Sequence, residues 1–305
     1  MALDSISSLT PDPVANVPSG RYVIITPARN EGLEIEQTIQ SVLRQTVLPS
    51  QWVIVDDGST DGTGAVIDRY AQRYAWITAL HRRDRGFRHP GAGVIEAFED
   101  GFRQIHHTDW AYVVKLDADL VLEPDYFERC FLHFSSDPKV GIGGGTVYNI
   151  SNGKVEVERN PSFHVRGATK IYGRACWEAL GGLLPAAGWD TLDEVKATML
   201  GWRTRSFADV LVLQRRPTGS IDGAWRDYVK NGLANYISGY HPLFMLFKCL
   251  KRALEKPYLV ASLGLTCGYL AGYWRRVPQV NDPALIGYLR SQQIRRLLLR
   301  ETIWK

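Results

Sequence analysis

The 305-residue chain has four cysteines, Cys130, Cys176, Cys249 and Cys267, and no Cys-x-x-Cys pair. This spacing excludes a zinc ribbon, argues against a disulfide framework, and predicts free thiols in a reducing compartment. No Gly-x-Gly-x-x-Gly follows the first apolar run, and residues 141–146 fail that pattern because the sixth position is Thr146. Gly-x-x-x-x-Gly-Lys-Ser/Thr is missing as well. Dinucleotide binding through the glycine fingerprint and nucleotide binding through a P-loop are therefore excluded. Residues 1–20 hold no Lys or Arg and no apolar core, so they lack the features of a signal peptide and are expected to form a flexible leader. Internal repeats and low-complexity linkers are absent too.

The chain is long enough to bury a core without covalent staples, in one large domain or two modest ones. Its charge is unevenly spread. The net charge is +4, yet residues 248–305 hold 11 Lys and Arg against three acids, leaving residues 1–247 net acidic. A basic segment on a mildly acidic body suits an anionic surface. Residues 243–254 set Lys248, Lys251 and Arg252 among Leu and Phe, the pattern of a helix lying in a headgroup layer. The uncharged residues 257–274 would make about 27 Å of helix, barely a span. Within them Gly264, Gly268 and Gly272 form a small-residue stripe, and Tyr258, Tyr273 and Trp274 resemble interfacial belts. Basic residues flank both ends, so charge gives no orientation. The expectation is peripheral attachment at the cytoplasmic face of a membrane, preferred over a helix buried against the body or a true span, with no nucleic-acid partner.

From Arg21 onward, apolar runs of strand length alternate with helical spacings. Strands are expected at 22–25, 52–55, 76–80 and 112–116, and helices at 34–43, 63–74 and 93–105. Such alternation predicts an α/β domain whose parallel sheet carries helices on both faces. Past Asp125 glycines cluster at Gly141, Gly143, Gly144 and Gly145, and further turns run to Gly188. A helix over 191–200 and strands over 203–207 and 210–213 are expected to complete the same domain, and long helices begin near Ile221. Right-handed crossovers bring the C-terminal ends of parallel strands to one edge, where open α/β sheets bind ligands.

Three of those strand ends are polar: residues 26–32 after the first strand, 56–62 after the second, and Asp117-Ala118-Asp119 after the fourth. In an extended segment Asp117 and Asp119 would share a face. Two carboxylates on one face repel unless a cation sits between them, and oxygen-only ligands suit Mg²⁺ or Mn²⁺, which completes its shell with water and phosphate oxygens. The chemistry implied is a metal-held diphosphate. An isolated Asp-x-Asp arises by chance about once in such a chain, and Asp56-Asp57 alone would read as a turn. The force lies in three polar strand ends on one edge.

In their order and spacing, residues 27–31 (Pro-Ala-Arg-Asn-Glu), residues 55–62 (Val-Asp-Asp-Gly-Ser-Thr-Asp-Gly) and Asp117-Ala118-Asp119 resemble glycosyltransferase family 2, as does Ser41-Val42-Leu43-Arg44-Gln45-Thr46 between the first two. The likeness covers roughly residues 20–215. It implies the GT-A fold, a single Rossmann-like, mostly parallel sheet flanked by helices, here followed by a helical C-terminal extension. The expected organisation is a leader over 1–20, a catalytic domain over 21–220 and a helical, basic region over 221–305. The resemblance also implies inverting transfer of a sugar from a nucleoside-diphosphate donor, with Mn²⁺ or Mg²⁺ as cofactor. Carried over by position, Asp57, with Asp56 beside it, would meet the donor nucleoside in a pocket lined by Pro27, Arg29 and Glu31. Asp117 would lie near the ribose or the metal, and Asp119 would ligate the metal. A basic residue near the diphosphate is expected within residues 81–88, where Arg85 and Arg88 flank the room left by Gly86.

Inversion needs one general base on the acceptor hydroxyl, while a metal stabilises the departing diphosphate. The family commonly shows Glu-Asp followed eleven residues later by Gly. Asp190 and Gly201 reproduce that interval and make Asp190 the expected base, although Trp189 stands where Glu is usual. Asp193 or Glu194 could hold the role instead, and all three acids would also suit a helix N-terminus. His164 and Arg166 are candidate acceptor contacts. His241 could reach the metal, or could simply cap the helix that Pro242 starts. The acceptor is expected to be a saccharide or a lipid-linked glycan. A polyprenyl phosphate, as in the dolichol-phosphate mannosyltransferase branch, a sugar-nucleotide-forming nucleotidyltransferase and a non-catalytic sugar-nucleotide sensor are the alternatives.

Overall fold

The computed structural model describes residues 21–86, 91–151, 154–158, 160–215, 223–255 and 258–304. The expected leader and Arg88 lie outside the described residues. Strand β1 (Tyr22–Ala28), helix α1 (Ile35–Leu43), β2 (Gln51–Asp56), α2 (Thr63–Arg73), β3 (Ile77–His81), α3 (Ala92–Phe102) and β4 (Tyr112–Leu116) follow in that order. The four strands are parallel and lie in the order β3-β2-β1-β4. Alternation along β1 divides its side chains between two layers. Tyr22 and Ile24 join the core under α1, α2 and α4 (Tyr126–Ser136), while Val23 and Ile25 join the core under α3 and α5 (Arg174–Leu180). Burial on both faces is why these strands read as continuous apolar runs, and each such side chain contributes about 1.5–3 kcal/mol.

The second half of the sheet adds β5 (Leu120–Leu122), β6 (Val140–Ser151), β7 (Lys154–Val157), β8 (Thr169–Gly173) and β9 (Arg203–Gln214). Here β8 runs antiparallel to β4 and to β6, β9 runs parallel to β6, and β5 closes the far edge. Two expectations differ from what forms. The glycine cluster lies inside β6 rather than in turns: a Cβ on Gly143 would stand 2.5 Å from the Phe207 ring. The two strands expected over 203–213 are one, with a register shift where Gly145 faces Phe207 and Thr146 faces Leu211.

Helix α6 (Trp189–Met199) connects the sheet to a helical cap of α7 (Ala224–Ile237), α8 (Pro242–Ala253), α9 (Val260–Trp274) and α10 (Pro283–Leu297). Leu192 and Val195 of α6 share a core with Tyr236, Met245, Leu265, Tyr269 and Leu289. The glycine stripe of α9 faces α7, and a Cβ on Gly268 would lie 2.0 Å from the Val229 carbonyl oxygen. One side of α9 is therefore buried within the cap. Among the described residues no helix is long and apolar enough to cross a membrane.

Candidate active site

The parallel strands deliver β1, β2 and β4 to one edge, and the polar residues beyond them meet there. The amide of Asp57 donates to the Ala28 carbonyl at 2.8 Å, tying the end of β2 to that of β1. The Asp57 carboxylate is almost fully buried. Arg82 Nη1 donates to its Oδ1 at 2.6 Å and Arg85 Nη2 donates to its Oδ2. The approach of that arginine segment depends on Gly58, which has φ +70 and whose Cβ would lie 2.4 Å from Asp84 Cα. Arg29 donates to the Asp57 carbonyl and, at 2.7 Å, to Asp84 Oδ1. Pro27 is buried within β1. Glu31 is buried too, its amide donating to Thr63 Oγ1 at 2.9 Å and its carbonyl accepting the Ile35 amide at 2.8 Å.

Asp56 turns away from this group. Its Oδ1 accepts the Ser59 amide at 2.9 Å and its Oδ2 lies 3.1 Å from His81 Nδ1. His81 is held in turn by Asp68 at 2.8 Å. Hydrogen bonds from Asp68 and Asp56 raise the His81 pKa above its ordinary value against a smaller opposing effect of burial. Asp56 is thus a turn-forming residue whose carboxylate is taken up by the Ser59 amide and His81.

The Asp-x-Asp segment is not extended. Strand β4 ends at Leu116, and Ala118 and Asp119 form a turn. The Asp117 carboxylate accepts from Lys115 Nζ, whereas Asp119 Oδ2 accepts from Gln214 Nε2 of β9 at 3.3 Å. Among the described residues no three His, Cys, Asp or Glu converge on a metal position. The donor set that remains is two carboxylates, Asp117 partly exposed and Asp119 buried. That suits a hard cation held mainly by substrate phosphates and water. His241 is not beside them in any recorded contact. Its Nδ1 accepts the Leu243 amide at 3.2 Å and caps α8, the second of the two roles expected for it.

Two buried lysines reorganise the base region. Lys115 and Lys170 are paired across the β4–β8 ladder. Both ammonium groups lie over the Trp189 ring, at 5.3 Å and 5.4 Å from its centroid. Lys115 also donates to the Gly167 carbonyl at 2.5 Å. Lys170 donates to the Asp190 carbonyl, to Asp193 Oδ1 at 2.8 Å, and lies 2.9 Å from Glu194 Oε1. Burial works against the Lys170 charge, but Asp193 and Glu194 outweigh it and raise the Lys170 pKa. Tyr172 donates to Asp193 Oδ2 at 2.5 Å, and Glu194 accepts the Val165 amide at 2.7 Å with His164 Nδ1 at 2.9 Å. Asp193 and Glu194 are therefore buried ion-pair partners of Lys170. Trp189, unusual for its position, is the ring on which the two lysines rest.

Of the three acids, Asp190 lines a cavity beside the start of α6. Its volume is about 300 Å³, and His164, Thr191, Asn235, Tyr240 and Lys248 line it as well. Asp190 and Thr191 lie in the first turn of α6 after Gly188, while Asn235, Tyr240 and Lys248 come from the cap. Arg166 is instead paired with Glu158 at 2.7 Å and does not line this cavity. Lys115, Lys170 and Lys248 were not singled out from the sequence as site residues, and Arg82 was expected only as a member of the basic stretch 81–88. A lysine inside an apolar strand run was the one available signal for the first.

A family model described as "Glycosyl transferase family 2" matches residues 23–182. Glycosyltransferase GlyG of Streptococcus pneumoniae is 25% identical over 131 residues, which are 43% of this chain and 40% of that protein. Chondroitin synthase of Pasteurella multocida is 30% identical over 128 residues, 42% of this chain and 12% of that protein. The chain thus spans less than half the length of these curated relatives. Among solved structures, mannosyltransferase PcManGT from Pyrobaculum calidifontis, in complex with GDP-Man and Mn²⁺, superposes with a TM-score of 0.55 at 18% identity, over 96% of this chain and 92% of that one.

Proposed function

The chain belongs to glycosyltransferase family 2, and from that premise we propose that it transfers a sugar, with inversion, from a nucleoside-diphosphate donor to a saccharide or lipid-linked acceptor. The observation that carries this reading is the shared sheet edge. Asp57 gripped by Arg82 and Arg85 stands beyond β2, Asp117 and Asp119 stand beyond β4, and β1 lies between these strands. In this reading Arg29, Asp57 and Glu31 bound the nucleoside pocket, with Arg82 and Arg85 as the cations nearest the diphosphate. A divalent ion, if bound, would be held by Asp117 and Asp119 and would supply charge stabilisation for the leaving diphosphate. Asp190 accepts the proton of the acceptor hydroxyl from the cavity wall, and Lys170 holds its backbone in place.

Attachment to a membrane surface fits the outer faces of the cap. Leu246, Phe247 and Leu250 of α8 and Leu263, Leu270 and Trp274 of α9 are half or more exposed, with Lys251, Arg252, Arg275 and Arg276 nearby in sequence. Exposed apolar side chains with basic neighbours match an anionic lipid surface. The test of the enzymatic reading is a panel of nucleotide sugars with Mn²⁺. Release of nucleoside diphosphate on addition of a glycan or lipid-linked acceptor is expected, and binding without turnover across the panel would replace the enzyme with a sensor.

A further inference from the structure

Building on that reading, we infer that the acceptor carries an anionic group, a phosphate or a carboxylate, received by Lys248 in the same cavity that Asp190 lines. Lys248 projects from α8, and its ammonium has two neutral neighbours: Asn235 Oδ1 at 3.4 Å and the Tyr240 ring at 5.2 Å. Among the described residues no carboxylate is recorded as its partner, and the nearby cation is Arg252, one turn along α8. The lysines fully buried in the sheet are treated differently. Lys115 pairs with Asp117, and Lys170 pairs with Asp193 and Glu194. The Lys248 side chain is partly buried, and a cavity-facing ammonium with no carboxylate partner among the described residues is available to an anion that enters from solvent.

The remaining charges in the lining are accounted for. His164 is paired with Glu194 and Arg252 with Glu255, and among the described residues Asp190 is the one acid on the cavity wall. An entering anion is repelled by Asp190 and drawn to Lys248. This sets its orientation, with the anionic group toward α8 and the reacting hydroxyl toward α6. Tyr228, Asn231 and Ser238 offer neutral hydrogen-bonding groups to the body of the acceptor. The cavity of about 300 Å³ falls at the lower end of small-molecule sites. Burial, with Arg252 adding to it, lowers the Lys248 pKa to about 8, so the ammonium is still mostly charged at neutral pH.

Calorimetric titration of the full chain with farnesyl phosphate and with a glucuronate-terminated disaccharide tests this. Farnesol and a neutral disaccharide are the uncharged controls. One anionic probe is expected to bind at least tenfold more tightly than its control; the phosphate arm points to a lipid-linked acceptor and the carboxylate arm to an acidic glycan. Lys248→Met is expected to lose that preference while melting at about the same temperature as wild type, because the partly buried ammonium has no ion-pair partner among the described residues to lose. Lys248→Arg is expected to restore the preference in part. No preference for either anion, or an equal preference in Lys248→Met, overturns the inference. Nucleotide-sugar binding by wild type is measured alongside. If it is present, a failure concerns the acceptor alone, and if it is absent, the glycosyl-transfer reading fails instead.

Discussion

Lys115 and Lys170 face each other across the β4–β8 ladder with Trp189 beneath both ammonium groups. Like charges opposite one another in a sheet are unfavourable, so the pair exists only because each lysine has its own acids: Asp117 for one, Asp193 and Glu194 for the other. The arrangement welds the strand ahead of the Asp-x-Asp turn to the start of α6. Removing Lys170 would strand two buried carboxylates. Lys170→Met is expected to destabilise the fold by about 3–5 kcal/mol, read as a fall in the chemical-denaturation midpoint. The double change Lys170→Met with Asp193→Asn should recover part of that loss, and no recovery would show that the two are not energetically linked.

Asp190→Asn keeps the size and polarity of the side chain while removing its ability to take a proton. Transfer to a hydroxyl acceptor is expected to fall by about 10²–10⁴-fold, with nucleotide-sugar affinity unchanged. Unchanged turnover in this variant would favour an acceptor that is already an oxyanion, such as a polyprenyl phosphate.

Asp119→Ala addresses the cation. In wild type, adding Mn²⁺ together with a nucleoside diphosphate should raise the melting temperature more than the nucleotide alone, since a ligand that binds only the native state stabilises it. The variant should lose that extra rise. EDTA should abolish it in wild type, and persistence of the rise in Asp119→Ala would exclude this carboxylate as a ligand.

His164 gives a pH dependence whose sign is fixed. Burial alone would lower its pKa, but the Glu194 carboxylate outweighs burial and holds it above the ordinary value. A histidine that binds its proton more tightly when folded stabilises the native chain fully below the unfolded value of about 6.5, and that contribution disappears as pH rises through the folded value. Wild type should therefore lose stability as pH climbs above about 6.5, and His164→Gln should show a shallower decline in thermal melts over the same window. An identical slope would remove His164 from the account.

Replacing Leu246 and Phe247 with Glu should sever the membrane contact without disturbing the core, because both side chains point outward. Co-sedimentation with anionic vesicles is expected for wild type, weakened by high salt and lost in the double variant. Equal sedimentation of both proteins would move the contact elsewhere.

Much of the fold was readable because its signals are local. Residues 112–116 form β4 as expected, since an apolar run between turns has few alternatives. Strand β1 runs past its expected end through Pro27. Its ladder with β4 stops at Ile25, so a missing N–H is tolerated beyond that point. The strand-end acids were also readable, as types of residue at predicted ends. Their partners were not. Asp56 and Asp57 are adjacent in sequence yet serve a turn and an arginine pair, a division set by backbone direction. Lys170 became visible only through β8, whose pairing with β4 no periodicity announces. Lys248 read as the polar face of an amphipathic helix, and only the packing of α8 toward α6 and α7 puts it in a cavity.

Gly268 brings α7 and α9 together backbone against backbone, leaving no side-chain cushion between them. Two helices in such contact cannot slide independently, and α7 carries Tyr228, Asn231 and Asn235 along with it. A methyl group introduced at Gly268 would act as a wedge: it would pry the roof of the cavity from a distance, altering what fits inside without changing a single residue of its lining.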